Sequence, residues 1–448
     1  MTDDRRDRIR LGALIGVHMI ACCLSLVAVA YHRISDDLKL DKFDLKPDKF
    51  HIYFDPSRWY VAVAVVVVFA VVALLLVRAN FSFGYFVGFY FFTMVLGYLW
   101  LNCFSGRNYD HWIGALSAVA SAIVFLLPAL FITSPLRQIH ALTAKSFDRL
   151  LTCLLVLGIA TVAIGAVYHF KLVRLEDMND HRAQLDTPIG VNYLLAMVST
   201  ALLPFAFAGF VVTKAHRRAA VVLVLLLLFY PVTINKTALL TPLWLVGMLV
   251  LSRVFEARVA VIVSLLAPVV IGLVMFALFG KLAAPYFDTV NFRMIAVPSV
   301  ALDVYNDFFS RHDLTYFCQI SFLKPLMHCP YQEQLAVVLK KEYDLGNFNA
   351  SLFATEGIAS LGTWFAPAAA FVGGLVIALG NRLSAGLPPA FILISGAMLP
   401  QTLLNVPLTT TLLTHGAALL FMLWYITPRD IFERDGASTA AMNASCSE

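Results

Sequence analysis

The residues Phe83–Phe104 read FGYFVGFYFFTMVLGYLWLNCF, and this stretch decides the fold class. It contains no charged side chain, and as a helix it is long enough to cross the ~30 Å hydrocarbon core of a bilayer. A strand of a membrane β-barrel would alternate apolar and polar residues, and this stretch does not. Because lipid offers the backbone no hydrogen-bond partners, the chain must satisfy its own polar groups within a helix. The stretch is therefore predicted to be a transmembrane helix.

The whole chain has the same apolar character. Of its 448 residues, 60% are hydrophobic and 14% are charged, whereas soluble domains contain about 25% charged residues. Apolar runs recur along the chain, so the sequence predicts an all-α, polytopic integral membrane protein with about twelve transmembrane helices. The predicted spans are Leu11–Tyr31, Tyr60–Val77, Phe83–Phe104, Ile113–Ile132, Leu150–Tyr168, Val191–Val212, Ala219–Ile234, Ala238–Ser252, Val259–Phe279, Trp364–Leu379, Ala390–Leu404 and Thr411–Tyr425.

The short loops between these runs give the predicted orientation. If the N-terminus lies inside, the short inner loops contain basic residues such as Arg78, Arg137, Lys214, Arg253 and Arg382. Lys and Arg are enriched in short cytoplasmic loops, whereas long loops count little. Both termini are therefore predicted to be cytoplasmic. The net charge of +5 fits this orientation rather than binding to nucleic acid.

The predicted organisation has four parts. Residues 1–280 form helices 1–9 with short loops, residues 281–356 a large outer loop, residues 357–427 helices 10–12, and residues 428–448 a cytoplasmic tail. The outer loop is polar and rich in aromatic residues. Loops longer than about 12–15 residues are usually functional or disordered, and the aromatic residues argue against disorder. We therefore expect this loop to form an extramembrane lid over a site.

Three basic residues near predicted membrane boundaries are candidates for binding an anionic group. Lys236 lies between two apolar runs, and Arg293 follows a predicted membrane exit. A planar guanidinium suits bidentate phosphate binding, and an ammonium is a compact charge. The alternatives are that Lys236 extends to the membrane interface and that Arg293 anchors to lipid headgroups or forms a salt bridge. Arg174 lies in a loop of mixed charge, where a solvated position is the alternative.

Acidic residues in the outer loop are the second group of candidates. Glu356 enters an apolar run beside small residues, where desolvation can raise its pKa and make it a general base. The alternative is an acid placed at a helix start by the helix dipole. Asp303, Asp307 and Arg311 have the spacing of an amphipathic helix, on which we expect the two acids to form a solvated charged face.

Cys318 and Cys329 are the two cysteines in the outer loop. The predicted topology places this loop in an oxidising compartment, so a disulfide between them is expected. The chain has neither the CxxC nor the Cys/His spacing of a metal site, so no metal is expected. No P-loop or dinucleotide glycine pattern is present either, and we expect no cofactor.

Several short motifs together carry a family resemblance. They are Asn291-Phe292-Arg293 with Pro298-Ser299, Tyr305 to Phe309, Asn235-Lys236-Thr237-Ala238-Leu239-Leu240, and Asn349-Ala350 leading to Glu356-Gly357-Ile358-Ala359-Ser360-Leu361-Gly362. On these motifs the chain resembles the bacterial polysaccharide repeat-unit polymerases of the O-antigen polymerase type. The resemblance covers roughly Tyr168 to Leu379, about half of the chain.

The resemblance implies a multi-pass enzyme of the bacterial inner membrane, with a large periplasmic loop and an active site that faces the periplasm. Such an enzyme moves a growing glycan from a polyprenyl diphosphate onto a lipid-linked repeat unit. It implies that Lys236 and Arg293 are ligands of the donor diphosphate, which we expect them to bind together. Arg293 and Glu356 are the candidates for catalysis. Further candidates for substrate binding are Arg174, Tyr305, Arg311 and Asn349. The implied partners are the polyprenyl-diphosphate-linked oligosaccharide, membrane lipid and a chain-length regulator protein, with no nucleic acid.

Two other functions remain open. One is a GT-C glycosyltransferase or glycan ligase that uses the same kind of lipid donor, for which Asp36 or Asp37 in the first outer loop would be essential. The other is a non-enzymatic polysaccharide exporter, for which we would expect internal repeats or charges deep in several helices.

Overall fold

The computed structural model describes residues 3–36, 50–173, 187–320, 322–345 and 353–432, and all regular structure in them is helical. The prediction of an all-α protein is therefore confirmed. The first helices are α1 (Asp3–Asp36), α2 (Trp59–Phe69), α3 (Ala73–Arg78), α4 (Phe83–Asn102), α5 (His111–Phe131), α6 (Ala144–Tyr168), α7 (Ile189–Met197), α8 (Leu203–Val212), α9 (His216–Thr233) and α10 (Lys236–Val254). They are followed by α11 (Ala257–Phe279), α12 (Ala284–Phe287), α13 (Val297–Phe309), α14 (Leu335–Tyr343), α15 (Ala354–Ser384), α16 (Pro389–Ser395), α17 (Leu399–Asn405), α18 (Leu408–Leu413) and α19 (Ala417–Ile426).

Ten helical segments among the described residues are long and apolar enough to cross a membrane, which makes the chain a multi-pass membrane protein by length and composition. The last two predicted spans, 390–404 and 411–425, contain the short helices α16 to α19 instead of two long ones. Gly396, Pro407 and Gly416 stand at the breaks, and both residue types interrupt helices. The count of twelve spans stays a prediction.

Polar side chains fix where several of the long helices begin. Ser82 accepts a hydrogen bond from the backbone N–H of Tyr85 at the start of α4, and Asp110 accepts one from Ile113 at the start of α5. These oxygens satisfy backbone donors that have no partner within the helix. The sequence between the apolar runs therefore supplies the capping residues at which these helices begin.

The chain forms two compact units. The first contains Met1–Ile132, Arg258–Ala378 and Gln401–Thr409. At its centre lies α4, whose residues from Phe83 to Leu101 are all buried. Helices α1, α2, α5 and α13 pack against α4, so this helix touches protein on every side. Its uniformly apolar sequence agrees with that position, because a helix that is apolar all round is typical of a core or a membrane span.

The second unit contains Thr133–Ala257, Leu379–Pro400 and Thr410–Glu448. Helices α6, α8, α9, α10 and α16 pack together within it. Two tryptophans, the half-buried Trp244 and the fully buried Trp424, are held by hydrogen bonds from their ring nitrogens. Nε1 of Trp244 donates to the carbonyl oxygen of Ala397 (3.0 Å), and Nε1 of Trp424 donates to Oγ of Ser395 (2.9 Å). An indole N–H buried in this way needs such a partner.

The first part of the expected outer loop is helical and lies inside the first unit. After a turn at Gly280 (φ +54°), the chain runs back along α11. The rings of Phe276 and Phe287 stack with their centroids 4.5 Å apart, and Nδ2 of Asn291 donates to the carbonyl oxygen of Val269 (3.1 Å). A π-helical segment, Asp288–Ala296, then leads into α13, whose residues are all buried. Residues 281–309 of the expected lid are therefore packed within the first unit, and the position of 281–356 outside the membrane stays a prediction.

A second fold-back lies at the start of α15. Gly362 adopts φ +77°, which glycine tolerates far better than other residues, and the helix axis breaks there. The ring of Phe353 lies against Gly373, and a Cβ on Gly357 would be 2.6 Å from the carbonyl oxygen of Ala366. The short segment 354–361 therefore runs antiparallel to the rest of α15, and the two form a hairpin.

The loop between these two fold-backs carries the expected disulfide. Cys318 and Cys329 are joined, with their Cα atoms 5.4 Å apart. The loop is also tied to the hairpin, since the backbone N–H of Thr315 donates to the carbonyl oxygen of Ala359 (2.8 Å). Loop, disulfide and hairpin thus form one connected part of the first unit.

The hairpin gives a prediction about Gly357. Gly357→Ala should lower the stability of the protein by about 1–3 kcal/mol, because the new methyl group meets a backbone atom that cannot rotate away. Thermal unfolding of the purified protein measures this. Gly247→Ala is the matched control, because a Cβ there meets nothing within 4 Å, and alanine is favoured over glycine in a helix. Equal midpoints for the two variants would contradict the hairpin.

Candidate functional site

A buried arginine between two aspartates lies at the end of α4, α5 and α13 in the first unit. Nε of Arg107 is 2.9 Å from Oδ2 of Asp303, and its Nη1 is 3.8 Å from Oδ2 of Asp307. The three side chains are only 4–6% exposed. Arg107 comes from the short loop between α4 and α5, and the two aspartates come from one face of α13. We call Arg107, Asp303 and Asp307 the ionic cluster.

Each aspartate also accepts hydrogen bonds from neutral donors. Oδ1 of Asp303 accepts from the hydroxyl of Tyr109 (2.6 Å), and its Oδ2 accepts from the hydroxyl of Ser105 (3.1 Å). Oδ1 of Asp307 accepts from the backbone N–H of Asn108 (3.0 Å). Buried carboxylates are tolerated when their lone pairs are filled in this way, and leaving one charge uncompensated is costly. The short loop between α4 and α5 is therefore fastened to α13 at several points.

The outer side of the ionic cluster is closed by α14. Oδ2 of Asp307 accepts hydrogen bonds from the hydroxyl of Tyr343 (2.6 Å) and from Nη2 of Arg311 (2.8 Å). The ring of Tyr343 also lies over the guanidinium of Arg107, with 5.0 Å between Cζ and the ring centroid. Tyr343 thus contacts both charges of the Arg107–Asp307 pair.

Both tyrosines that donate to the ionic cluster are held in the neutral form. Burial raises the pKa of Tyr109 well above its usual value, and the neighbouring Tyr98 and Asp303 raise it further. Burial also raises the pKa of Tyr343, with a further contribution from its hydrogen bond to Asp307. A tyrosine beside a carboxylate loses its proton only at higher pH, because two negative charges would otherwise adjoin. The phenols therefore remain donors throughout the physiological range.

The expectation of a solvated acidic face at Asp303 and Asp307 is wrong. The spacing of these residues on one helical face was assigned correctly, but that face is turned toward Arg107 rather than toward water. Arg107 was not among the residues predicted from the sequence. The available signal was an arginine in a short loop that the predicted topology places outside, where the positive-inside rule expects few cations. Such a cation needs a partner, and the paired aspartates supply it.

Successive residues of α13 extend polar contacts toward the hairpin of α15. Oδ1 of Asn306 accepts a hydrogen bond from the hydroxyl of Thr363 (2.8 Å), and its Nδ2 donates to the carbonyl oxygen of Leu302 (2.8 Å). Tyr305 is buried and interacts electrostatically with Glu356. The structure therefore brings two of the sequence-predicted site residues, Tyr305 and Glu356, close together.

Glu356 lies on the short arm of the hairpin and is half-buried. Both of its carboxylate oxygens lie 3.2 Å from the backbone N–H of Leu408, the first residue of α18. A backbone donor at a helix start favours the charged carboxylate. Both alternatives predicted for this residue, an acid at a helix terminus and a base, are compatible with this position, although the terminus belongs to α18 rather than to α15.

Arg293 lies on the π-helical segment and is exposed. Within the described ranges it has no hydrogen bond or ion pair. π-helical turns are rare and occur frequently at functional sites. Arg293 is thus a cation available to an anionic ligand, whereas Arg107 is already committed to carboxylates.

The remaining residues predicted to form the site lie in the second unit or outside the described residues. Lys236 is exposed at the first residue of α10, after Asn235, whose side chain accepts a hydrogen bond from the N–H of Thr237 (3.0 Å). It belongs to the second unit and Arg293 to the first, so their joint role stays a prediction. Arg174, Asn349 and Asp37 lie outside the described residues. Among those described, no cluster of His, Cys, Asp and Glu could hold a metal ion.

Comparison with models of known families, with curated proteins and with solved structures gave no match to this chain. The family resemblance therefore rests on the motifs quoted above.

The ionic cluster gives a prediction about stability. Asp303→Ala should cost about 3–5 kcal/mol, because it leaves the buried Arg107 without its closest counter-charge. The matched control is Asp148→Ala in the second unit, whose partner Arg218 is 2.8 Å away but whose side chains are 46–49% exposed. This variant should cost no more than about 1 kcal/mol. Thermal unfolding of both purified variants measures the difference, and equal costs would mean that the ionic cluster is not buried.

Proposed function

We propose that this protein is a glycosyltransferase that polymerises polyprenyl-diphosphate-linked repeat units into a polysaccharide on the periplasmic face of the bacterial inner membrane. The observation that best supports this proposal is the position of Glu356. It is a carboxylate on a folded-back helical segment within the first unit, beside Tyr305 and the start of α18. Ionisable residues among apolar helices are costly to place and are functional by default.

Glu356 would act as the base that removes the proton from the acceptor sugar hydroxyl. Its two carboxylate oxygens accept from the backbone donor of Leu408, and its side chain is half-buried rather than enclosed. A general base of this kind contributes about 10²–10⁴-fold to a reaction. Tyr305 is buried and would act on Glu356 rather than contact the sugar.

Arg293 would bind the donor diphosphate and offset the charge that develops on it as it leaves. Its guanidinium is exposed and has no ion pair within the described ranges, which is the condition an anion-binding residue must meet. A diphosphate leaving group is already activated, so the reaction needs no nucleotide. The cation stabilises the charge as it forms, which is the most effective place for electrostatic catalysis. Lys236 stays a second candidate for this task.

A second candidate function is export of a polysaccharide without chemistry. The two fold-backs and the short helices α16 to α19 favour it, because interrupted helices at membrane depth line cavities in many transporters. Export would use Glu356 and Arg293 to bind the glycan or a coupling ion. The two functions differ in whether chain length, or only transport, depends on these residues.

Gene deletion in the source bacterium separates these functions. A polymerase predicts loss of long surface glycan chains while single repeat units are retained. A ligase predicts loss of all attached glycan, and an exporter predicts accumulation of full-length chains inside the cell. Gel electrophoresis of surface and cell-associated glycan distinguishes the three outcomes, and unchanged glycan in both fractions would end the proposal.

Two substitutions test the assigned residues. Arg293→Ala should reduce polymerisation at least tenfold, because a charge-assisted hydrogen bond to phosphate contributes about 1.5–3 kcal/mol. Glu356→Gln should reduce it about 10²-fold or more, because the amide oxygen still accepts from Leu408 but is no longer a base. Glycan length and the rate of repeat-unit addition are the readouts.

The controls keep the protein intact. Arg293→Lys returns the charge without the planar fork and should restore only part of the activity. Arg58→Ala removes an exposed arginine of the same unit, paired with Asp55 at 3.8 Å, and should leave activity unchanged. Normal glycan length in well-expressed Arg293→Ala and Glu356→Gln variants would contradict the assignment.

A further inference from the structure

Two buried nitrogens of Arg107, Nε and Nη2, make no hydrogen bond within the described ranges. Nε still lies 2.9 Å from Oδ2 of Asp303 as an ion pair, whereas Nη2 has neither kind of contact among the described residues. The third nitrogen of the guanidinium, Nη1, faces Asp307. A buried donor without an acceptor is costly, so the cluster is built with an unfilled position.

The ionic cluster does not depend on Tyr343 for its shape. Asp303 is held by Ser105 and Tyr109, and Asp307 is held from within by the backbone of Asn108. These contacts come from the loop between α4 and α5 and would remain if α14 moved away. If Tyr343 were removed, Arg107 and Asp307 would therefore be exposed and would keep their positions.

Tyr343 occupies the position that a ligand hydroxyl would take. Its phenol donates to Oδ2 of Asp307 (2.6 Å), while its ring lies on the guanidinium of Arg107. Tyr343 is the last residue of α14 and is half-buried, so the contact lies at the boundary with solvent. A molecule arriving from solvent would meet this tyrosine first.

The charges around this position select the class of ligand. An anionic ligand would be repelled by Asp303 and Asp307, and a cationic ligand would be repelled by Arg107 and Arg311. Arg107 and Arg311 balance Asp303 and Asp307, and Glu342, which lies 4.0 Å from Arg311 and is 42% exposed, adds one negative charge on the solvent side. The groups that become available are one acceptor, Oδ2 of Asp307, and one donor, Nη2 of Arg107. A hydroxyl group can donate to the first and accept from the second, so a neutral polyhydroxylated ligand fits best.

We propose that Arg107 and Asp307 form a binding site for the hydroxyl groups of a neutral sugar, and that Tyr343 occupies this site until the sugar displaces it. The proposal rests on the proposed function for the origin of the sugar, the lipid-linked acceptor, but the site itself is independent of catalysis.

The test is binding of free sugars to the purified full-length protein in nanodiscs prepared without glycoside detergents. The probes are glucose, glucuronate and glucosamine, which are neutral, anionic and cationic versions of one ring. Ligand-observed NMR titration measures their affinities. Tyr343→Ala should bind glucose about tenfold more tightly than the unchanged protein, because the sugar no longer competes with a hydrogen bond to a carboxylate. Glucuronate and glucosamine should bind this variant more weakly than glucose.

Two further variants keep the test decisive. Tyr343→Phe removes only the phenolic hydroxyl and should give a smaller gain in glucose affinity, which serves if the alanine variant does not fold. Lys341→Ala removes an exposed ion pair with Glu333 on the same helix and should not change glucose binding. Unchanged glucose affinity in a folded Tyr343 variant, or tighter binding of either charged sugar, would overturn the proposal.

The outcomes also separate this proposal from the proposed function. Sugar binding that follows the Tyr343 prediction in a protein that does not lengthen glycan chains would support the site and end the polymerase assignment. Chain lengthening by a protein whose Tyr343 variants bind glucose no better would support the polymerase assignment and end the proposed sugar site.

Discussion

The first unit depends on the burial of Arg107 between Asp303 and Asp307. This contact joins the loop after α4 to a helix about 200 residues further along the chain, and apolar packing alone would not specify that pairing. Charges removed from water are costly unless they are paired and hydrogen-bonded. Because every partner must be in place at once, the contact fixes the register of α13 against α4 as well as its direction.

The sequence predicted the fold class well and the internal arrangement poorly, for one physical reason. Apolar runs such as Phe83–Phe104 report their own environment, since only a membrane or a protein core accepts them. A polar residue such as Asp303 is compatible with water and also with a buried partner, and the partner Arg107 is distant in sequence. Hydropathy therefore placed α13 in a loop, although its polar residues face protein.

The residues of the candidate site were likewise predictable only in part. Tyr305 and Glu356 were both selected from short motifs, and α13 and the hairpin bring them together. Their neighbours, including Arg107 and Tyr343, could not be selected because no local pattern links them. Two glycines with positive φ, Gly280 and Gly362, make the turns that carry the polar residues back into the unit. Each is an ordinary residue in the sequence and is informative only once the backbone is known.

The position of α13 inside the first unit is the central claim, and cysteine accessibility tests it most directly. The purified protein, with its free cysteines replaced by serine and its disulfide retained, would carry either Ser299→Cys or Leu326→Cys. Ser299 is fully buried and Leu326 is 79% exposed, although both lie in the stretch that hydropathy assigns to the outer loop. The account predicts that a polar maleimide labels position 326 rapidly and position 299 only after denaturation. Equal labelling rates in the folded protein would contradict it.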